Sequence, residues 1–138
     1  LNAIAIGVLA LLTGMHAASV INAVAGGVPF TRVVTAALGA FSVVIGLALP
    51  ATRPNWTIGI RTPWALADER SWARTHRLGG RLFVIVGIVL VVAAFVVPVA
   101  ALLPLVLIGI VGAGITTVVY SWWTHDADPR AAYDTVHD

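Results

Sequence analysis

The chain has 138 residues, 59% of them hydrophobic and 10% charged, with a mean hydropathy of +0.97. A water-soluble domain this short exposes too much surface to hide that much apolar area, and disorder needs low hydrophobicity with high charge, so both classes are excluded. The net charge is only +2, from 8 basic residues, all Arg, against 6 acidic ones, which gives no sign of nucleic-acid binding; with no cysteine, disulfides, thiolate metal sites and thiol nucleophiles are also out.

A bilayer core about 30 Å thick takes about 20 apolar residues in a helix. Four stretches qualify. The first covers about residues 2–25 and ends at Gly26-Gly27-Val28-Pro29, a turn signal. The second covers about 33–49 and stops at Pro50. A later apolar run is divided by Pro98 and Pro104, which predicts a third span at about 78–97, a tight turn over Pro98–Pro104 and a fourth span at about 105–123. The expected fold is an all-α membrane protein forming one domain over 1–138. It has four transmembrane helices in two hairpins, a long structured cytoplasmic loop over 51–81, and an acidic tail over 124–138. The first residue is Leu1 and not Met, so the natural N-terminus is expected upstream; the first stretch lacks the basic n-region of a cleavable signal.

Between lipid-embedded helices, small residues permit close backbone approach. Thr35, Gly39, Ser42 and Gly46 predict such a seam on the second helix, and Gly109, Gly112 and Thr116 one on the fourth. On the first helix, Thr13, His16, Ser19 and Asn22 form a polar strip near mid-bilayer, where polar groups need a partner in another helix or a wet cavity. An interhelical hydrogen bond that fixes packing is the plainer reading; a ligand or proton site centred on His16 is the other, and no Asp or Glu lies in any span to support it.

Six arginines (Arg53, Arg61, Arg70, Arg74, Arg77 and Arg81) fall in the loop, which with Asp68 and Glu69 has a net charge of +4. Cytoplasmic loops collect Arg and Lys, so the loop and both termini are expected inside. Trp56, Trp64, Trp72, Trp122 and Trp123 are then expected at that same interface, where aromatic rings prefer to sit. The opening of the loop, Pro54 to Trp64, is too apolar for a flexible linker. Thr62 before Pro63 predicts an N-cap and a first helical residue, starting a short turn through Ala65 to Ala67, and Asp68 is a second N-cap candidate beside Glu69.

From Glu69 the spacing is helical. Arg70, Arg74, Arg77 and Arg81 share about 60° of arc, with Trp72, His76, Gly79 and Phe83 opposite. This predicts an amphipathic helix that bends at Gly79-Gly80 into the third span. Near anionic headgroups each Arg contributes about 1 kcal/mol, hence about 4 kcal/mol for the stripe. The alternative use is docking of an acidic protein face or of the tail that carries Asp126, Asp128, Asp134 and Asp138. Enzyme signatures are absent, no cofactor is implied, and His125, Asp126, Asp128 and His137 are too loosely spaced to predict a metal site.

The run Gly59-Ile60-Arg61-Thr62-Pro63-Trp64, then Asp68-Glu69, Trp72 and Thr75-His76-Arg77 with Gly79 before an apolar span, resembles the signature of the SdpI-like immunity protein family of bacterial integral membrane proteins. The resemblance covers about Pro54 to Phe83. It implies a multi-span helical protein of the bacterial inner membrane, immunity against a secreted toxin, and capture of a transcriptional repressor at the membrane. Longer members have six spans, so this chain would begin at their third. The expectation is a non-enzymatic protein that binds a partner (a cytoplasmic regulator or a toxin) through Arg61, Thr62, Pro63, Trp64, Asp68, Glu69, Trp72, His76 and Arg77. Arg61 would pair with Asp68 or Glu69, Trp64 and Trp72 would seat the loop in the interface, and Arg70, Arg74, Arg77 and Arg81 would meet lipid headgroups. The alternative is an accessory or structural subunit of a larger envelope membrane complex.

Overall fold

The computed structural model describes residues 2–53, 59–67 and 69–126. Five α-helices follow in order: α1 (Asn2–Ala25), α2 (Phe30–Ala48), α3 (Pro63–Ala67), α4 (Glu69–Val96) and α5 (Val99–Asp126), with a 3-10 turn at Leu49–Ala51 after α2. Four of them, all but α3, are long and apolar enough to cross a membrane. The protein is thus an all-α, multi-pass membrane protein. Apart from a polar strip on α1, the outward faces of the spans are largely apolar, as lipid requires: Val24 is 84% exposed and Phe95 75%. The Pro54–Ile58 segment, Asp68 and the tail from residue 127 lie outside the described residues.

The α1–α2 turn uses Gly26 and Gly27 at φ +67° and +74°, which only glycine adopts without strain. α2 begins three residues before the expected start, at Phe30 directly after Pro29. Its first turn therefore includes Arg32, whose Nη1 donates to the Ala94 carbonyl at 2.6 Å. That carbonyl belongs to the last turn of α4, which has no intrahelical donor left for it, and a cation there also complements the helix dipole. The predicted turn over Pro98–Pro104 is corrected. The break is confined to Val97 and Pro98, and Pro104 lies inside α5 as its sixth residue. So near the helix start, a missing N–H costs only one early hydrogen bond.

The expected bend at Gly79-Gly80 is also corrected: α4 runs without interruption through both glycines. They serve packing instead. α4 is central, touching α2, α3 and α5, whereas α1 packs on α2. On α2, Thr35, Gly39, Ser42 and Gly46 are all buried, as the spacing predicts. A Cβ built on Gly46 would lie 2.6 Å from the Gly80 carbonyl oxygen, and one on Gly80 would lie 2.6 Å from the Gly46 carbonyl. Gly39 and Gly87 oppose each other in the same way, with Gly39's built Cβ 2.7 Å from the Gly87 oxygen. Both pairs therefore bring backbone onto backbone between antiparallel helices. Seven residues separate the two glycines on each helix, the repeat that keeps one seam facing its partner. Thr35 and Ser42 turn their hydroxyls onto their own helix, donating to Thr31 and Leu38 carbonyls at 2.8 Å each, so the seam carries no unsatisfied hydroxyl.

The expected seam on the fourth span holds at Gly109, where a Cβ would lie 3.0 Å from Val86 on α4, but not at the other two positions. Gly112 and Thr116 are exposed, and Ala113 and Thr117, each one place further on, are buried along with Ser121 and Leu102. Gly46→Ala should lower the thermal midpoint in mild detergent by an amount equivalent to about 1–3 kcal/mol of overpacking. Gly112→Ala, where a Cβ meets nothing within 4 Å, should raise it slightly, by up to about 1 kcal/mol. Shifts of the same sign in both variants would refute the backbone contact.

Candidate functional site: a loop pinned across two helices

α3 forms as its sequence predicts. Thr62 caps it, accepting the Ala65 N–H on Oγ1 at 3.3 Å and the Leu66 N–H on its carbonyl at 3.1 Å, with Pro63 as first helical residue. The segment before it, Gly59 to Arg61, crosses α4. Gly59 has φ +120°, and a Cβ there would collide with His76 Nε2 while lying 3.0 Å from the Trp72 ring. Only glycine fits, by conformation and by space.

That close approach aims the Ile60 N–H at His76 Nε2, 3.0 Å away. Since the amide can only donate, Nε2 must accept, and the proton of the neutral ring sits on Nδ1, which donates to the Trp72 carbonyl at 2.9 Å. The tautomer is thus assigned by its partners. Trp72 stacks on the imidazole with centroids 3.9 Å apart and planes 20° from parallel. Its Nε1 donates to the Thr52 carbonyl at 3.0 Å, tying in the segment that leaves α2. Trp72 and His76 are each 1% exposed. Trp72 therefore does not sit in the headgroup interface as expected; it is the floor under the loop. Trp122 and Trp123, by contrast, are exposed at the end of α5 on the same side.

The other edge of the loop is held by α5. Thr62 Oγ1 and the buried Ser121 Oγ share a hydrogen bond of 2.6 Å. Gly79 leaves room for Ile60: a Cβ there would lie 2.8 Å from Ile60 Cδ1 and 3.0 Å from Thr117 Cγ2. Thr117 returns its hydroxyl to the Ala113 carbonyl at 2.7 Å. The end of α2, the loop, α4 and α5 thus meet at one small polar junction. Between the loop and the helices lies a cleft of about 610 Å³ lined by Gly59, Ile60, Arg61, Thr62, Phe83, Gly114 and Val118.

Of the residues singled out from sequence, Trp72, His76 and Thr62 come together here. Arg61, Pro63 and Glu69 are exposed, as are Arg70, Arg74, Arg77 and Arg81 along the outer side of α4, where Arg77 Nε donates to the Ala73 carbonyl at 3.2 Å. Asp68, one expected partner of Arg61, and the Trp64 side chain lie outside the described residues. His16, Ser19 and Asn22 face outward on α1, away from the junction. Sequence reasoning missed Thr52, Thr117 and Ser121. The last two form an i, i+4 hydroxyl pair just before Trp122, which is the signal that could have marked the inner face of α5. Among the described residues, no group of three or more His, Asp or Glu is placed to hold a metal. The arrangement builds a rigid polar platform carrying an exposed cationic face.

The model of the SdpI/YfhL protein family matches residues 51–121, which hold the loop, α3, α4 and most of α5 and end on the serine that binds Thr62. The immunity protein SdpI of Bacillus subtilis (strain 168) is 33% identical over 58 residues, 42% of this chain and 28% of that protein's length. The aligned stretch is therefore a minor part of that relative. No solved structure matches the chain. On the family match, which takes in the whole platform, the chain belongs to the SdpI/YfhL protein family.

Proposed function

We propose that the protein is an immunity-type membrane protein that acts by binding, in toxin immunity or the signalling coupled to it. The loop face lies at the inner leaflet, where the excess of loop arginines puts it by the positive-inside rule, with both ends of the chain on that side of the bacterial inner membrane. Arg61, Thr62, Pro63 and Arg77 meet the protein partner, a toxin or a cytoplasmic regulator, and Trp64, Asp68 and Glu69 extend that surface. Arg70, Arg74 and Arg81 contact lipid headgroups. Trp72 and His76 act from below by holding the loop in shape. The observation that carries this reading is that the family match coincides with the pinned loop and the two helices it crosses, and leaves out α1 and α2. No catalytic group enters the proposal.

A second reading, an accessory subunit of a larger envelope membrane complex, is favoured by α1. Its Thr13, His16, Ser19 and Asn22 side chains are exposed on a helix that packs on α2, and polar groups at bilayer depth need a partner. Native purification in gentle detergent separates the two readings. Stable co-purifying subunits that are lost in His16→Leu would favour the second.

The direct test is replacement of SdpI in Bacillus subtilis by this chain, followed by survival under the toxin. Protection is expected; sensitivity at normal membrane levels would count against immunity. The exposed pair Arg61→Ala and Arg77→Ala should lose protection while membrane levels hold. Trp72→Ala should lower the level itself, since emptying a buried Trp site costs about 3–5 kcal/mol. Gly59→Ala should speed amide exchange at Ile60 by about ten-fold, the worth of one net hydrogen bond, and an unchanged rate would show that the loop is not held by His76.

A further inference from the structure

α1 stands at the edge of the bundle, packed on α2, and is the least buried of the four spans. One of its faces is used inside the chain. Ala18 is buried, Gly7 and Leu11 line a crevice with Phe41 and Val44 of α2, and a Cβ built on Gly7 would lie 3.3 Å from the Phe41 ring. About a third of a turn round the helix, His16 and Ser19 are exposed near the middle of the span. In hydrocarbon such groups need a hydrogen-bonding partner, and the chain's own helices do not cover them.

The stripe through these two residues continues as Leu9 and Leu12 on one side and Ala23 on the other, all exposed. The steps from Leu9 to Ala23 are three, four, three and four, the repeat along which one helix can follow another. Ser19 and Ala23 are small enough for close approach, and no charge interrupts the stripe.

The chemistry of the stripe is complementary to itself. A hydroxyl both donates and accepts, and a neutral imidazole carries one donor and one acceptor, so each side chain can bond to its own kind. A second copy also brings those groups to the right place without further conditions. Inserted by the same distribution of arginines, it runs parallel to the first and presents His16 and Ser19 at the same depth.

We propose that α1 is the contact between two copies of this chain, a parallel helix pair about a two-fold axis with His16 and Ser19 at its centre. In such a pair each residue of the stripe meets its counterpart. One His16 ring donates to the other, the two Ser19 hydroxyls bond in the next layer, and Leu9 and Leu12 fill the layers before them. A polar residue at one layer of a helix pair also fixes register, which here aligns the pinned loops of the two copies on the same side of the membrane.

The chain has no cysteine, so single cysteines report the contact directly. In bacterial membranes holding the full chain, mild oxidation should join Leu12→Cys and Ser19→Cys into disulfide dimers. Ala17→Cys and Val24→Cys, exposed on another side of α1, should remain monomeric. Added to Ser19→Cys, His16→Leu should weaken association by about three-fold, the weight of one hydrogen bond between helices in a membrane. His16→Asn, which keeps a donor and an acceptor, should not. The absence of dimer at both stripe positions, equal dimer at all four, or no effect of His16→Leu would overturn the proposal. So would a Ser19→Cys adduct with a different protein. Native mass spectrometry of the unchanged chain released from nanodiscs gives the check that needs no substitution: a dimer is expected, and a monomer would overturn the proposal.

Discussion

A chain segment laid against helices at the edge of a bilayer must find partners for its own backbone, because unsatisfied amides are costly wherever water is excluded. In this protein the demand is met at one atom. His76 Nε2 receives the Ile60 N–H, and most of the local architecture follows from that bond. It requires a neutral ring, which the Trp72 carbonyl orients through Nδ1. It requires glycine at position 59, and it brings Thr62 to Ser121. A helix, a loop and a second helix are thereby joined through pairings that pattern alone does not reveal.

The seam between α2 and α4 plays the complementary part. Two glycine pairs let the helices approach until backbone meets backbone, which gives dense van der Waals contact where hydrophobic drive is absent. α4 can then serve two neighbours at once. Gly80 faces Gly46 on α2, and the adjacent Gly79 faces Ile60 and Thr117. Adjacent residues on a helix point about 100° apart, so a glycine dipeptide is a compact way to accept a close neighbour on each of two sides.

These details explain what the sequence made legible. The spans were readable because lipid demands long uninterrupted apolar runs, and α1 ends where the glycines say it should. The Thr62–Pro63 cap and the α2 seam were readable because each is a local rule of spacing. Pro104 and Gly79-Gly80 misled because their propensity to break helices was overridden, in one case by a position near the helix start and in the other by packing. Trp72 misled because an aromatic near a membrane surface is equally suited to the interface or to a buried stack, and its partner His76 was visible only as a neighbour on the same face. The bonds from Ile60 to His76 and from Thr62 to Ser121 span 16 and 59 positions, and no local pattern encodes a choice of partner at that range. Arg32 was passed over for the same reason, since its use depends on where another helix ends.

α4 carries His76 near one end and the Ala94 carbonyl near the other, and it is a continuous helix of 28 residues, about 42 Å long. That rod is therefore anchored twice, under the Ile60 amide and at the Arg32 guanidinium, with the two glycine contacts of the seam between the anchors. The two anchors share no residue, yet both set the axial position of one helix.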